Sequence, residues 1–99
     1  MSAYVIVDIE ITDPVRYEEY KAMAAPTVTA YDGQYIVRGG EAKTLEGGRE
    51  PGRIVVLKFP SVDRAKEWWA SDAYQPAKTL RHASANTEMI LVEGVSPLP

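Results

Sequence analysis

Apolar side chains occupy every second position from Ala3 to Ile11, and a mixture of polar and apolar side chains occupies the positions between them. This alternation predicts a β-strand with one buried face and one mixed face. Asp13 and Pro14 then supply a helix cap and a residue suited to the first helical turn. The apolar spacing changes there to three and four residues, which predicts an amphipathic helix. Its stripe consists of Tyr17, Tyr20, Ala24, Val28 and Tyr31.

Proline and glycine residues mark the course and the end of this helix. Pro26 predicts a kink, or a division of the helix into two abutting pieces. Asp32 and Gly33 close the helix, with Gly33 expected to take the left-handed conformation. A second strand is predicted at residues 34–38. The segment 41–52 contains three glycines and a proline, which predicts a long mobile connection.

The rest of the chain predicts a third strand, a broken helical region and a fourth strand. Residues 53–59 are apolar on both faces, which is typical of a central strand. Ser61 can cap the next helix. The predicted buried side of that helix consists of Val62, Ala65, Trp69 and Ala73, with Trp68 flanking it. Tyr74 and Pro76 indicate a break and a fresh helical segment to about residue 84, and residues 87–93 are the predicted fourth strand.

Two strand–helix–strand units joined by a long connection predict an α+β fold of the ferredoxin-like type, βαββαβ. Its four-stranded antiparallel sheet has the spatial order four-one-three-two, with both helical regions on one face. We expect a single domain over residues 1–95 and a short tail at 96–99. The uncovered face is too apolar to remain in water, which predicts a homodimer packed sheet against sheet. The residues concerned are Tyr4, Ile6, Ile54 and Val56.

Composition narrows the classes of function. The net charge of −3 and the isoelectric point near 5.1 argue against a nucleic-acid partner, which requires a concentrated basic surface. The chain has no cysteine and a single histidine, so disulfides and thiolate sites are excluded and a histidine zinc site is not expected. No apolar run is long enough to cross a membrane. We expect a cytoplasmic protein with no metal, no cofactor and no membrane partner.

Several short motifs occur together in a characteristic order. They are Asp13-Pro14 with Tyr17 and Tyr20, Arg38-Gly39-Gly40, Glu46-Gly47, Arg53, Phe59-Pro60-Ser61, Ala65, Trp68-Trp69, Ser71, Tyr74, Arg81 and Val92-Glu93-Gly94. This order resembles a small bacterial family, the domain-of-unknown-function family 1330, within the dimeric α/β-barrel superfamily. The resemblance covers about residues 4–94.

The resemblance implies a dimeric α/β barrel and no settled activity. Superfamily relatives include cofactor-independent monooxygenases, lactone isomerases, chlorite dismutases and dye-decolourising peroxidases, so the fold does not determine the function. Two positions depart from the family pattern. Asp32-Gly33 stands where the family often has two glycines, and Lys58 stands where it often has a glutamate ahead of the Phe-Pro pair.

Arg38 and Asp8 are the candidate catalytic residues. Arg38 ends a strand just before two glycines, where a guanidinium can hold a carboxylate or an enolate oxygen with two hydrogen bonds. Asp8 lies on the mixed face of the first strand, where a partly buried carboxylate can act as a general base. The alternative interpretation is structural. Arg38 then pairs with Asp8 or with a glutamate, and Asp8 and Tyr4 are interface residues, with Arg38 or Lys58 satisfying the carboxylate.

Tyr4, Arg53, Trp69 and His82 are candidate ligand-binding residues. The Tyr4 hydroxyl can orient a substrate oxygen, and Trp69 can line a pocket for a planar molecule. In the alternative interpretation, Trp69 lies in the core with Trp68 as a packing residue or lid. His82 is the single histidine, and its alternative is an exposed position on a polar helix face.

Two classes of function stay open. The first is a small cofactor-independent isomerase or monooxygenase that acts on a carbonyl- or enol-containing molecule. There, Arg38 stabilises developing negative charge, Asp8 moves a proton, and Tyr4 and Trp69 shape the pocket. The second is a non-catalytic homodimeric module that binds a small ligand or only assembles. No nucleophile paired with a base is evident in the sequence to decide between them.

Overall fold

A computed structural model describes residues 1–95, and the tail predicted at 96–99 lies outside the described residues. The elements follow the predicted order. They are β1 (Ala3–Ile11), α1 (Pro14–Ala30), β2 (Gln34–Arg38), β3 (Arg53–Phe59), α2 (Val62–Ala70), α3 (Gln75–Ser84) and β4 (Ala85–Glu93). In this part of the chain, no helix combines the length and hydrophobicity needed to span a membrane.

The four strands form one antiparallel sheet in the order β2-β3-β1-β4, which confirms the predicted ferredoxin-like topology. β1 is a central strand, since Val7 lies opposite both Val55 of β3 and Met89 of β4. β4 begins earlier than predicted, because α3 passes directly into it. Ala85 caps α3 and already has extended backbone angles, with φ of −158° and ψ of 153°.

The hydrophobic core lies between the sheet and the three helices. Ala3, Val5, Val7 and Ile9 of β1 are buried on the helix side, as the alternation predicts, whereas Ile11, the last residue of the strand, is 38% exposed. The largest fully buried side chains include Trp68, Tyr74 and Phe59. The ring centroid of Trp68 lies 4.2 Å from that of Tyr74 and 5.4 Å from that of Phe59. This aromatic cluster joins α2 to the sheet and to the start of α3.

The predicted buried side of α2 is wrong in its second half. Trp69, one interpretation of which placed it in the core, is 49% exposed, whereas Trp68 is 1% exposed. Ala73 is also exposed. The helix ends at Ala70, so the apolar line cannot continue to residue 73. Within this short helix the buried pair is Ala65 and Trp68, three residues apart.

α1 has the predicted cap and remains a single helix. Asp13 Oδ1 accepts a hydrogen bond from Arg16 N at 3.2 Å, and Pro14 occupies the first turn. Pro26 does not divide the helix, which continues to Ala30. A proline removes one main-chain hydrogen bond, and core residues on both sides of it hold the helix together through packing.

The left-handed conformation expected of Gly33 occurs at Asp32 instead. Asp32 takes the left-handed conformation, with φ of 65°, which aspartate tolerates better than most residues. Gly33 supplies space instead. A methyl group at Gly33 would lie 2.7 Å from Val28 Cγ1 and 2.8 Å from Phe59 Cε1. The expected left-handed conformation of Gly33 is therefore wrong, and glycine is required here by packing.

We expect Gly33→Ala to lower the free energy of unfolding by about 1–3 kcal/mol, the usual cost of forcing extra volume into a packed core. Gly48→Ala is the matched control, because a methyl group there meets no atom of residues 1–95 within 4 Å and its φ is not left-handed. Urea denaturation measures both variants. Equal stability of Gly33→Ala and the wild type would contradict the close packing at the end of α1.

The face of the sheet opposite the helices, termed the open face, carries an apolar surface. The residues predicted to form it are half-buried in the single chain; they are Tyr4, Ile6, Ile54 and Val56. Ile90 lies opposite Ile6, and Val92 lies opposite Tyr4, so β4 extends the same surface. Ile90 and Val92 are 56% and 43% exposed. The open face is thus apolar across the three strands β1, β3 and β4.

Candidate functional site

The helix side of the sheet encloses a small space where β2 ends and β3 begins. This arginine–tyrosine compartment is formed by Tyr17, Tyr20, Tyr35, Arg38 and Arg53, among others. Its volume is about 20 Å³, room for about one water-sized group. The compartment can therefore enclose one polar end of a ligand, with the remainder outside, next to the exposed Arg38.

An irregularity in β2 brings Arg38 to the helix side of the sheet. Tyr35 lies opposite Leu57 and Arg38 lies opposite Val55, and both of these partners are buried beneath the helices. In a regular strand, residues three apart point to opposite faces. The register shift between Tyr35 and Val37 supplies the extra residue of a bulge. Arg38 Cζ consequently lies 4.2 Å from the centroid of the Tyr35 ring.

Arg53, the first residue of β3, contributes a second guanidinium. Gly39 has φ of 75°, and its lack of a side chain leaves the space that the Arg53 guanidinium occupies. Arg53 Nη2 lies 3.5 Å from the carbonyl oxygen of Arg38. Arg53 Nε is buried without a hydrogen-bond partner among residues 1–95. Gly39 thus makes room for Arg53, whose Nε remains an unused donor.

The tyrosines of the compartment are hydrogen-bond donors at neutral pH. Burial raises the pKa of Tyr17, Tyr20 and Tyr35 above the ordinary tyrosine value. The positive charge of the neighbouring arginines opposes this rise at Tyr17 and Tyr35 without reversing it. The Tyr20 hydroxyl also lies 3.0 Å from that of Tyr74. Neutral phenols therefore surround two permanently charged guanidiniums.

Asp8 lies on the open face and anchors the end of the long connection. Its Oδ2 accepts a hydrogen bond from Arg49 Nη2 at 2.9 Å, and its Oδ1 accepts one from Gly52 N at 3.0 Å. The same Arg49 nitrogen donates to a glutamate of β4. The carboxylate therefore has partners, and the charged one is Arg49, neither Arg38 nor Lys58.

Arg38 and Asp8 were predicted to act together on one substrate. Within one chain, their positions do not allow this. Arg38 lies opposite Val55, which is buried under the helices. Asp8 lies opposite Ile54, a residue of the open face. The sheet itself therefore separates the candidate base from the candidate cation.

The remaining candidates also lie apart from one another. Tyr4 is on the open face, and His82 is exposed on α3 and lines neither space beneath the helices. Trp69 borders a second space, and Lys78 Nζ lies 3.4 Å from the centroid of its ring. Of the six candidates, only Arg38 and Arg53 meet in one place. Among residues 1–95, no three histidine or acidic side chains converge to hold a metal ion.

This second space, termed the α2–β4 groove, is larger, about 410 Å³. Residues of α2, α3 and β4 line it, including Lys66, Trp68, Trp69, Arg81, Thr87 and Met89. Trp68 and Met89 line the arginine–tyrosine compartment as well, so the two spaces share a wall.

Arg81 and Thr87 were not among the residues that the sequence singled out for chemistry. A signal for Arg81 was nevertheless present. Ala77, Arg81 and Ser84 follow one another at spacings of four and three residues and form the buried side of α3. Thr87 lies opposite Ile9, a residue on the buried side of β1, so the alternation of β4 already places it on the helix side.

The model of the family described as a domain of unknown function (DUF1330) matches residues 2–95. The chain belongs to the DUF1330 family. The resemblance carried by the sequence motifs is thereby confirmed over nearly the whole chain. No curated protein matches the sequence.

Solved structures of related shape share the fold of this DUF1330 protein. A protein of unknown function from Rhodopseudomonas palustris has a TM-score of 0.80 and 16% identity, covering 97% of this chain and 84% of that one. A dimeric ferredoxin-like protein of unknown function from Jannaschia sp. CCS1 has a TM-score of 0.71 and 15% identity, and the match covers 95% of this chain and 100% of that one. SnoaB, a cofactor-independent oxygenase from Streptomyces nogalater, has a TM-score of 0.67 and 18% identity, and the match covers 99% of this chain and 97% of that one. The likeness establishes a shared ferredoxin-like fold.

Proposed function

We propose that this DUF1330 protein is a cofactor-independent enzyme that binds a small acidic enol or phenol as its anion. The observation that carries the proposal is the meeting of Arg38 and Arg53 with three neutral tyrosines in one compartment. Two fixed positive charges and several hydroxyl donors favour an oxyanion over the neutral ligand.

The absence of a base in the compartment limits the class of substrate. Among residues 1–95, no carboxylate or imidazole lines it, and its one amine, that of Lys21, forms an ion pair with Glu18 at 3.0 Å. A weak carbon acid requires a positioned base. A compound that already ionises readily, such as a 1,3-dicarbonyl or a hydroxyquinone, requires only stabilisation of its anion while the proton passes to solvent.

Two reactions proceed from a bound enolate without a cofactor. Protonation at carbon in place of oxygen completes an isomerisation. Reaction with dioxygen converts a CH₂ group to a carbonyl group, and the second oxygen atom leaves as water. That the same fold occurs in SnoaB, a cofactor-independent oxygenase, supports this class of reaction.

The test uses 5,5-dimethylcyclohexane-1,3-dione, whose enol and enolate absorb at different wavelengths. We expect the protein to lower the pKa of the bound enol, so that enolate appears at a pH at which the free compound is neutral. Arg38→Ala weakens binding roughly tenfold or more. Arg16→Ala is the matched control, because this guanidinium is exposed on α1 and, within residues 1–95, its one ion pair is with Asp13. An unchanged absorption spectrum at saturating protein would contradict the proposal.

A non-catalytic ligand-binding module is the second candidate function, and the lack of a base in the compartment favours it. The two candidates differ in what happens to a bound enolate. Turnover appears as deuterium exchange at carbon in D₂O or as consumption of dioxygen. Binding without either change, across a panel of acidic enols and phenols, identifies the module instead of the enzyme.

We also propose that two copies assemble through their open faces. The apolar surface of Ile6, Ile54, Val56, Ile90 and Val92 supports this assembly, since exposed apolar surface on a sheet usually marks an interface. The dimeric neighbour from Jannaschia sp. CCS1 supports it as well. In such a dimer, both arginine–tyrosine compartments lie on the outer, helix-covered sides.

A further inference from the structure

The α2–β4 groove has the size and surface of a small-molecule site. Its volume of about 410 Å³ falls within the range of ligand pockets in proteins. Most of its wall is apolar, and Trp68, Trp69 and Met89 are among the residues that line it. A flat apolar molecule can contact these groups.

Two polar groups of the groove lack hydrogen-bond partners in the described part of the chain, residues 1–95. Arg81 is 5% exposed, and its Nε has no hydrogen-bond partner among residues 1–95. No carboxylate of that part of the chain forms an ion pair with it. The hydroxyl of Thr87 is also buried without a partner among those residues. A buried guanidinium without a counter-charge is costly to the fold, and such local conflicts tend to occur at functional positions.

The charges at the groove are all positive. Lys66 and Arg81 are its charged lining residues, and no acidic side chain of residues 1–95 lines it. Lys78 stands beside the groove with Nζ 3.4 Å from the Trp69 ring centroid. Burial and the charge of Arg81 lower the pKa of Lys78, which is consistent with an accumulation of positive charge here.

We propose that the α2–β4 groove binds an aromatic monocarboxylate. The carboxylate accepts hydrogen bonds from the Arg81 guanidinium and the Thr87 hydroxyl, while the ring lies against Trp68, Trp69 and Met89. A planar guanidinium matches a carboxylate with two parallel hydrogen bonds. A single buried cation favours one negative charge over two. This site adjoins the arginine–tyrosine compartment through the shared wall of Trp68 and Met89, and the proposal does not rest on the proposed function of that compartment.

The experiment compares benzoate with benzamide, a neutral molecule of nearly the same shape, by isothermal titration and tryptophan fluorescence. We expect saturable binding of benzoate, with benzamide weaker by roughly tenfold or more, since a charged hydrogen bond is lost. Thr87→Val, of equal size and without the hydroxyl, weakens benzoate binding severalfold. Arg16→Ala binds benzoate as the wild type does.

Arg81→Met separates a binding role from a structural one. Replacing a buried unpaired charge by an apolar side chain of similar length leaves stability equal or increases it, so we expect an unchanged or higher Tm together with a loss of benzoate binding. The proposal is overturned by equal affinity for benzoate and benzamide, by full binding in Thr87→Val, or by a large fall in Tm in Arg81→Met. Loss of benzoate binding in Arg38→Ala with full binding in Arg81→Met would place the ligand in the other compartment and overturn it too.

Discussion

Trp68→Ala is expected to lower the free energy of unfolding by about 3–5 kcal/mol, the usual cost of removing a fully buried tryptophan. Trp69→Ala, one residue along the same helix, is expected to change it by less than about 1 kcal/mol. Chemical denaturation of the two variants and the wild type measures the difference directly. The pair is a matched control, because the substitution is the same and only the burial differs.

The large effect at Trp68 follows from three sets of contacts. Its ring lies 4.2 Å from Tyr74 and 5.4 Å from Phe59, centroid to centroid. Its Nε1 donates a hydrogen bond to Thr27 Oγ1 at 3.1 Å, which also links α2 to α1. Replacement by alanine leaves a cavity and removes the hydrogen bond that Thr27 Oγ1 accepts, although this hydroxyl still donates to the carbonyl oxygen of Ala24 at 2.7 Å.

The smaller effect expected for Trp69→Ala on the free energy of unfolding follows from the exposure of this side chain. It is 49% exposed, and its main polar neighbour is Lys78, whose Nζ lies 3.4 Å from the ring centroid. A cation–π contact at such a site contributes about 0.5–1 kcal/mol. Equal destabilisation by the two alanine substitutions would contradict the assignment of Trp68 to the core.

The sequence predicted the fold well because strands and helices with one buried face have clear periodicities. The alternation from Ala3 to Ile11 identified both faces of β1, and the breaks at Gly33, Pro60 and Tyr74 separated the elements. The assignment of Trp68 and Trp69 failed for a physical reason. A helix of nine residues contains too few turns for spacing alone to choose between adjacent positions.

The candidate site was harder to predict because it depends on one irregular residue. Alternation along β2 does not reveal the register shift after Tyr35, and this shift determines the side of the sheet on which Arg38 lies. The face of Asp8 was predicted correctly, and its partner Arg49 was not, because a long connection carries no periodic signal.

At Arg81 a periodic signal is present, but the spacing and the residue type favour opposite positions. Its spacing from Ala77 and Ser84 places it on the buried side of α3. Arginine is rarely fully buried without a partner, so the residue type by itself favours an exposed position. The conflict between spacing and residue type is informative, since such conflicts tend to mark functional positions.

Val92→Asp is expected to convert the proposed homodimer into a monomer. Val92 is 43% exposed in the single chain, so an aspartate there is tolerated by the fold. In a symmetric sheet-to-sheet dimer each interface carries the substitution twice. Two carboxylates buried without partners cost several kcal/mol each, which weakens association by at least about a thousandfold. Light scattering after size-exclusion chromatography, over a range of concentrations, measures the oligomeric state.

Val15→Asp is the matched control for this change. Val15 is 73% exposed in the first turn of α1, where a carboxylate interacts favourably with the helix dipole, so this variant remains a dimer. A monomeric wild type, or a Val92→Asp variant that stays dimeric, would contradict assembly through the open face.

Enol binding by the Val92→Asp variant then shows whether ligand binding depends on dimer formation. The arginine–tyrosine compartment lies on the side of the sheet opposite the open face, so the Val92→Asp monomer is expected to bind the enolate as the dimer does.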